Sequence, residues 1–367
     1  MTKAAELAKM GEVLTNSQIG GRRNIVINGA MQVAQRGTSS TGLGASSGYF
    51  TLDRFKTTFG STAGRLTMSQ VAVTDLPGFA NALKLDCTTA DTSIAAGENF
   101  RLQTLLEGQD LQQLKKGTSS AEKFTVSFYV KGNASATYML ELFDGDNSRH
   151  NTQQFAVTSS WNRISLTFAG DTTGAFDDDN AVSLYLNFWL HAGSTYTSGT
   201  YTANTWASNT NANRAVGISS FFDSTDRTLE ITGLQMEIGS QATPFEHRSF
   251  GEELNLCRRY YYHTYGYGNT IGASFDQGYN GMVYFLGSGN HGIAPLTHQF
   301  PVEMRAAPTV TFYGHAGTAN RITYWNGSES TYGTVNKNSS QVTGMSLGFD
   351  SNPEDFYSAG MVADAEL

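Results

Sequence analysis

The stretch that decides the fold is LEITGLQMEIGSQATPFEHRSFGEELNLCRRYYY, residues 229–262. Its first part alternates apolar and polar side chains, which indicates a strand with a buried face. The apolar residues change parity along this strand, first Leu229 and Ile231, then Leu234, Met236 and Ile238. Because successive side chains of a strand point to opposite faces, the change requires one extra residue. We expect Gly233 to supply it as a β-bulge.

A helix is predicted to follow this strand. Ser249 and Glu252 match the S-x-x-E capping box that begins many helices. Leu254, Cys257 and Tyr261 then recur at the spacing of one helix face. We therefore expect a short helix over residues 249–262 that bridges two β-domains.

Strand periodicity continues on both sides of this stretch. Before it, strands are predicted at Phe50–Phe59, Arg65–Val73, Ala82–Cys87, Phe100–Leu106, Phe124–Lys131, Tyr138–Phe143, Ile164–Phe168 and Val182–Leu190. After it, they are predicted at Met282–Leu286, Thr309–Tyr313, Ile322–Trp325 and Thr343–Phe349. About ten strands joined by turns are typical of an antiparallel sandwich. We therefore predict an all-β chain: a β-sandwich over residues 23–248, the bridging helix, and a second, smaller β-sandwich over residues 263–367.

The composition excludes several classes of partner. The chain has 367 residues and a formal net charge of -8, and 15% of its residues are charged. This acidic balance disfavours nucleic acid and anionic membrane surfaces. No apolar run approaches the roughly 20 residues that span a bilayer, so no membrane insertion is expected. The N-terminus shows no signal peptide, which favours folding in a reducing cytoplasm with Cys87 and Cys257 as buried free thiols.

Residues 1–22 differ from the rest of the chain, because their apolar residues are spaced as in a short amphipathic helix. The stripe of this N-terminal arm includes Leu7, Met10, Val13 and Leu14. So short a helix needs something to pack against. The arm either folds back on its own domain or anchors the chain to sister subunits or to a larger assembly.

Two acidic clusters fall in predicted turns. The first cluster contains Asp144 and Asp146, and the second contains Asp177 and Asp179. Asp, Gly and Asn are expected in turns for backbone reasons. The alternative is a structural Ca²⁺, which takes carboxylate and carbonyl oxygens.

A long excursion rich in Gly, Ser, Thr and Asn follows the strand Val182–Leu190, whose second face is polar but aromatic. Long loops on a rigid sandwich commonly carry function. Aromatic rings can pack on the C–H groups of sugars while amides bond the hydroxyls, so the excursion offers Tyr196, Tyr201, Asn204 and Trp206 as candidates for glycan binding. The alternative is that Trp206 closes the end of the sandwich and that the tyrosines pack on their neighbours.

No catalytic motif stands out. There is no H-x-x-x-H pair, and the two acidic clusters lie in predicted turns. We therefore expect a protein that is not an enzyme.

Further segments form a characteristic set together with residues 229–262: NIVINGAMQVAQRGTS (Asn24–Ser39), TLDRF (Thr51–Phe55), EGQDLQQLKKGTSS (Glu107–Ser120), SSWNRISLTFAGDTTGAFDDDN (Ser159–Asn180), NANRAVG (Asn211–Gly217) and FPVEMRAAPTVTFY (Phe300–Tyr313). This set resembles a module of the tail fibres and other surface appendages of tailed bacteriophages, marine phages in particular. The resemblance implies that the first sandwich is a jelly roll like that of carbohydrate-binding modules.

The resemblance also implies a function. It favours a structural virion appendage, such as a short tail fibre, that is exposed on the particle, binds host surface polysaccharide and assembles as a homotrimer. The N-terminal arm would then dock to other virion proteins. The alternatives are a capsid- or tail-decorating cement protein that binds no sugar and, third, a polysaccharide depolymerase. A depolymerase of this kind is expected to have many stacked β-helix repeats, which the sequence lacks.

Overall fold

The computed structural model describes residues 3–4, 23–273, 283–286, 296–314, 316–325, 330–334, 337–348 and 356–367. Leu7, Met10, Val13 and Leu14 of the predicted arm lie outside these residues. The chain divides into two compact units. The first contains 23–32, Ser39–Phe50 and Phe55–Arg248; the second contains Val33–Thr38, Thr51–Arg54 and the described parts of Ser249–Leu367.

The described part of the first unit contains thirteen strands, β1 to β13. In chain order they are Ser39–Leu43, Gly48–Tyr49, Lys56–Gly60, Arg65–Ala72, Asn81–Thr89, Asn99–Glu107, Phe124–Gly132, Ala136–Asp144, Arg149–Val157, Asn162–Phe168, Val182–Ala192, Ala207–Ser208 and Thr228–Ile238. They form a six-stranded sheet in the order β1-β4-β5-β13-β7-β10 and a seven-stranded sheet in the order β12-β9-β8-β11-β6-β3-β2. Paired strands within each sheet are antiparallel.

The two sheets pack face to face around a core of aromatic and aliphatic side chains. Phe128 of the six-stranded sheet is buried, and its ring lies 5.1 Å from the rings of both Phe155 and Phe188 in the seven-stranded sheet. Edge-to-face contacts of this kind are favourable arrangements for aromatic pairs. The predicted antiparallel sandwich, with its jelly-roll character, is confirmed.

The bulge predicted in the closing strand is also confirmed. Gly233 has a φ of 64°, and the pairing of β13 with β7 shifts register between Thr232 and Gln235. A left-handed backbone favours glycine because it has no Cβ. Leu234 donates its N–H to the carbonyl of Gly29 at 2.9 Å. Ile231 before the bulge and Leu234 after it are both fully buried, as the change of parity requires.

Two α-helices lie in the described range 23–273. The first is a single helical turn, Ser194–Thr197, and the second is Phe250–Arg258. Short 3₁₀ turns lie at Gly108–Asp110, Gln112–Leu114 and Asn211–Asn213. The Oγ of Ser249 accepts a hydrogen bond from the N–H of Glu252 at 3.3 Å, as the capping box predicts. In the described part of the chain, no helix is both long enough and apolar enough to cross a membrane.

The helix ends earlier than the expected residue 262. The spacing predicts Tyr261 on its buried face, but Tyr261 belongs to a strand, Tyr261–His263, that pairs with Asp364 and its neighbours. Three consecutive tyrosines favour a strand, and pairing with another strand satisfies their backbone groups.

The described part of the second unit contains nine further strands, β14 to β22. They are Tyr261–His263, Val283–Leu286, Leu296–Gln299, Thr309–Tyr313, Arg321–Trp325, Ser330–Thr334, Lys337–Gln341, Gly344–Gly348 and Phe356–Asp364. The last strand, β22, pairs with β14, β15, β17 and β18, and β16-β21-β20 form a separate three-stranded sheet. The guanidinium groups of Arg54 and Arg36 lie 3.4 and 3.5 Å from the ring centres of Tyr260 and Tyr261.

Candidate functional site

The outer face of the seven-stranded sheet, defined here as the face turned away from Phe128, brings together polar and aromatic side chains. The strand register aligns them in three rows. The first row holds Lys56, Gln103, Asn187 and Glu141; the second holds Thr58, Arg101, Trp189 and Met139; the third holds Leu105, Tyr185, Phe143 and His150. Several of these side chains are buried, which an uncovered sheet face would not allow.

The cover is the excursion predicted from sequence, residues 193–215, which we call the clasp. Tyr196 packs on Trp189 with ring centres 5.0 Å apart. The hydroxyl of Tyr201 accepts a hydrogen bond from the N–H of Gln154 at 3.0 Å. Ala215 joins Trp189 in a small apolar cluster against which both tyrosines pack. The clasp therefore covers Trp189 and Met139 of the second row.

A buried ionic network lies beneath the clasp. The Glu141 carboxylate, wholly buried, accepts hydrogen bonds from Arg214 Nε at 2.6 Å and Nη2 at 2.9 Å. It also accepts bonds from Trp189 Nε1 at 2.7 Å and Asn187 Nδ2 at 2.8 Å. Burial alone would raise the pKa of Glu141, but the charge of Arg214 and these hydrogen bonds hold it well below its usual range. The network ties the clasp to the sheet.

Two residues of the third row, Phe143 and Tyr185, stay partly accessible, whereas Leu105 and His150 of the same row are buried. Phe143 and Tyr185 are both half-buried, and their rings lie 5.6 Å apart, edge to face. The Arg214 guanidinium lies 4.8 Å from the Phe143 ring. Burial, followed by the charge of Asp146, raises the pKa of Tyr185, so its hydroxyl keeps its proton as a hydrogen-bond donor.

Arg101 extends this accessible region. It is half-buried beside Trp189, with its guanidinium 4.8 Å from the indole. Its Nε is buried and has no hydrogen-bond partner among the described residues. Gln103, which follows Arg101 on the same face of the strand, bonds Asn187 at 2.5 Å. The accessible region therefore combines two aromatic rings with a guanidinium group whose charge acts on the Tyr185 hydroxyl.

Trp206 and Asn204, the other two candidates from sequence, lie at the edge of this sheet. Trp206 is half-buried, donates its Nε1–H to the carbonyl of Ala169 at 2.7 Å, and lines a small cavity with Lys116 and Phe176. Asn204 has a φ of 54° and accepts a bond from the N–H of Ala169 at 2.9 Å. These contacts fit the alternative in which the residues close the sandwich edge, and sugar binding by them stays a prediction.

Of the four acidic residues predicted from sequence, Asp144 lies at the end of β8, and Asp146, Asp177 and Asp179 lie in loops. Asp144 is buried and pairs with Lys116 Nζ at 2.5 Å. Asp146 accepts a hydrogen bond from the N–H of Asp177 at 3.0 Å, which brings the two turns together. Asp179 accepts one from the N–H of Ala181 at 2.9 Å. The contacts of Asp146 and Asp179 are local contacts of loop residues, whereas Asp144 ends β8 and forms a buried ion pair. Calcium binding at the clusters stays a prediction.

The sequence alone does not single out Glu141, Arg214, Phe143 or Arg101. A signal is present for Glu141, because it is an acidic residue inside the apolar run YMLELF. Arg214 lies in the segment NANRAVG, to which the sequence assigns no role. Phe143 and Arg101 carry no signal, since only the strand register shows that they share a face with Tyr185.

Comparison with known proteins gives a structural likeness only. No family model matches the chain. No curated protein matches it either.

Among solved structures, a CBM4 structure matches 58% of this chain and 98% of its own, with 9% identity and a TM-score of 0.30. The xylan-binding domain CBM22-1 of Paenibacillus barcinonensis Xyn10C matches 60% of this chain and 100% of its own, with 12% identity and a TM-score of 0.27. The enzymatically active domain of bacteriophage CBA120 tailspike protein 4 matches 59% of this chain but 21% of its own, with 12% identity and a TM-score of 0.30.

Proposed function

We propose that this chain binds glycans through the accessible part of the outer face and does not cleave them. The observation that carries the proposal is the half-buried aromatic pair Phe143 and Tyr185, with the charge of Arg101 acting on the Tyr185 hydroxyl. The rings offer apolar surfaces to sugar C–H groups, while a guanidinium group and a protonated phenol offer donors to hydroxyl or carboxylate oxygens. Held on neighbouring strands of one sheet, these groups form a pre-organised surface.

The electrostatics support binding without catalysis. A glycosidase needs a carboxylic acid whose pKa is raised enough to protonate the leaving group. Glu141, the carboxylate nearest the middle of the face, is instead held ionised by Arg214, with both oxygens occupied by donors. It is a poor general acid. An assay for new reducing ends on host polysaccharide is expected to show none, and sustained release would overturn this part of the proposal.

The binding test compares two tyrosines that occupy similar positions on different sheets. Tyr185→Ala is expected to weaken binding to host envelope polysaccharide by about tenfold or more, because it removes an aromatic contact at the centre of the surface. Tyr129→Ala is the control: Tyr129 is also half-buried, lies on the six-stranded sheet, and has Arg163 5.9 Å from its ring. Equal losses in both variants, or no saturable binding by the folded wild type, would contradict the proposal.

The residues predicted from sequence are a second set of candidates. Trp206 and Tyr196 are half-buried, so part of each ring is accessible. The variant Trp206→Ala distinguishes the two sets of residues. If this variant keeps full binding, the sugar is assigned to Phe143 and Tyr185. If it loses binding and Tyr185→Ala does not, the sugar is assigned to Trp206.

We further propose that the chain is a virion appendage that uses this binding to attach the particle to a host, as the resemblance to phage tail-fibre modules suggests. The second candidate is a cement protein without sugar binding. Immunogold labelling of intact particles separates them when combined with the binding assay. Label on a solvent-facing tip together with binding supports an appendage, and label over the capsid lattice without binding supports cement.

A further inference from the structure

A second cluster of polar side chains lies in the first unit, in a place that the proposed glycan surface does not use. Asp91 and Glu98 belong to the connection between β5 and β6, and His191 lies near the end of β11. All three are buried, with exposed fractions of 5%, 8% and 0%. One ligand atom from each lies within 4.8 Å of the others.

Two atoms of this cluster lack the partner that burial normally demands. His191 Nε2 and Glu98 Oε2 are buried and form no hydrogen bond with any described residue. They lie 3.7 Å apart, too far for a good hydrogen bond. In the described part of the chain, neither Asp91 nor Glu98 forms an ion pair with a lysine or an arginine. A buried carboxylate oxygen without a donor or a cation, here that of Glu98, carries a desolvation cost.

The surroundings hold each group in a fixed orientation. His191 Nδ1 and Ser220 Oγ are 2.8 Å apart, and the His191 ring packs edge-on against Phe222. Asp91 Oδ2 accepts hydrogen bonds from Thr62 Oγ1 and from the N–H of Ala63, both at 2.8 Å. A partner on the far ring nitrogen and donors on the carboxylate are the arrangement that orients metal ligands in proteins.

We propose that Asp91, Glu98 and His191 bind a divalent transition-metal cation of the Zn²⁺ type. One imidazole nitrogen with two carboxylate oxygens is a known class of ligand set for such ions, and the imidazole disfavours Ca²⁺ and Mg²⁺. The 3.7 Å between His191 Nε2 and Glu98 Oε2 is close to the roughly 3.4 Å that separates two ligands of a tetrahedral zinc ion. The cation would neutralise the buried carboxylates and join the β5–β6 connection to the end of β11.

The two carboxylates of the cluster differ in pKa. Burial would raise the pKa of Asp91, but hydrogen bonds from Thr62 and Ala63 hold it below its usual range. Burial, then the neighbouring Asp91 carboxylate, raises the pKa of Glu98. Burial lowers the pKa of His191, so its imidazole is neutral at pH 7 and Nε2 can offer a lone pair. A bound cation satisfies both groups at once. The alternative is a single proton held between the two carboxylates, and this alternative predicts no metal binding.

The test is calorimetric titration of the EDTA-stripped full chain with ZnCl₂. One zinc ion per chain is expected, and the thermal unfolding midpoint should rise as zinc is added. His191→Gln and Glu98→Gln are expected to weaken zinc binding by about 100-fold or more. Ser220→Ala, which removes only the partner of Nδ1, is expected to weaken it by about 10- to 100-fold. CaCl₂ should not replace ZnCl₂.

The control is His247→Gln, because His247 is an exposed histidine of the same unit. It should leave zinc affinity and stoichiometry unchanged. If either ligand variant fails to fold, the visible spectrum of the wild-type chain with Co²⁺ provides the second measurement: zinc-displaceable bands of a four- or five-coordinate ion are expected. Absence of zinc binding by the folded wild type, or binding that His191→Gln leaves intact, would overturn the proposal.

Discussion

At the scale of single residues, the buried carboxylate Glu141 sets the structure of the outer face. Its partner Arg214 is 73 positions further along the chain, in the clasp. A sequence shows that an acidic residue interrupts an apolar strand, but it does not show which distant cation compensates the charge. The residues that could be predicted, such as Ser249 as a helix cap and Gly233 as a bulge, depend on neighbours in sequence. The site depends on tertiary pairing, so most of it could not be predicted.

Removing Arg214 should therefore destabilise the first unit strongly. Arg214→Met keeps side-chain volume but leaves the Glu141 charge buried and uncompensated, so we expect a loss of about 3–5 kcal/mol in the free energy of unfolding by urea. Arg227→Met is the control, since Arg227 pairs with the half-exposed Asp223 and should cost within about 1 kcal/mol. Adding Glu141→Gln to Arg214→Met should restore part of the loss. Equal costs for the two arginines would contradict this account.

His263 makes the second unit sensitive to acid. Burial, then the charge of Arg258, lowers the pKa of His263 to about 4 from an ordinary 6.5. Below pH 6.5 the unfolded chain binds this proton while the folded unit does not, so the contribution to stability is complete above pH 6.5 and declines towards pH 4. The full decline is on the order of 3 kcal/mol.

The measurement for His263 is hydrogen exchange of the β22 amides in wild type and His263→Gln, compared at each pH. The variant should lose less protection than wild type between pH 6.5 and 4. Asp53, whose pKa burial raises to about 6, changes stability in the opposite sense in both proteins and cancels in the comparison. Parallel pH profiles would show that His263 is not responsible.

At the scale of elements, strict alternation allows strands to be predicted, and its absence hides them. β11, with Leu184, Leu186 and Phe188 on one face, is predicted from its sequence. β9 is not, because RHNTQQFAV has few apolar residues, and its polar side chains are buried by neighbouring elements instead. β22 is not predicted either, because the small residues of FYSAGMVAD interrupt the alternation of apolar and polar side chains that indicates a strand. The clasp is recognisable as a long loop, but its packing over the sheet is a tertiary property.

The Gly233 bulge gives a prediction for this scale. Gly233→Ala should destabilise the first unit by about 1–3 kcal/mol, because an L-residue is strained at a φ of 64° and its Cβ would lie 2.8 Å from the ring of Phe79. Gly97→Ala is the matched control, since nothing lies within 4 Å of its added Cβ and its φ is not positive. It should be neutral or slightly stabilising. Similar urea midpoints for both variants would show that the bulge is not a constraint.

At the scale of the whole molecule, the all-β class was predictable because low charge, many turn residues and repeated alternation all indicate the same architecture. Assembly is a separate question. The arm stripe of Leu7, Met10, Val13 and Leu14 and the expected trimer both follow from the sequence and its resemblance to appendage proteins, and both stay predictions.

Deleting residues 1–22 tests the arm. If the arm anchors the chain, the truncated protein should be missing from assembled particles while keeping the circular dichroism and unfolding midpoint of the full chain. Light scattering of both proteins in solution shows whether the arm also contributes to trimer formation. Normal incorporation of the truncated protein would show that the anchor lies elsewhere.

The central position of β22 has a consequence for synthesis. This strand, Phe356–Asp364, pairs with β14, β15, β17 and β18. These partners precede it in the chain, β14 by about a hundred residues. A nascent chain can complete the first sandwich once β13 has left the ribosome, whereas β14, β15, β17 and β18 leave the ribosome before their shared partner does. Their open edges are then available to chaperones or to neighbouring nascent chains on the same polysome.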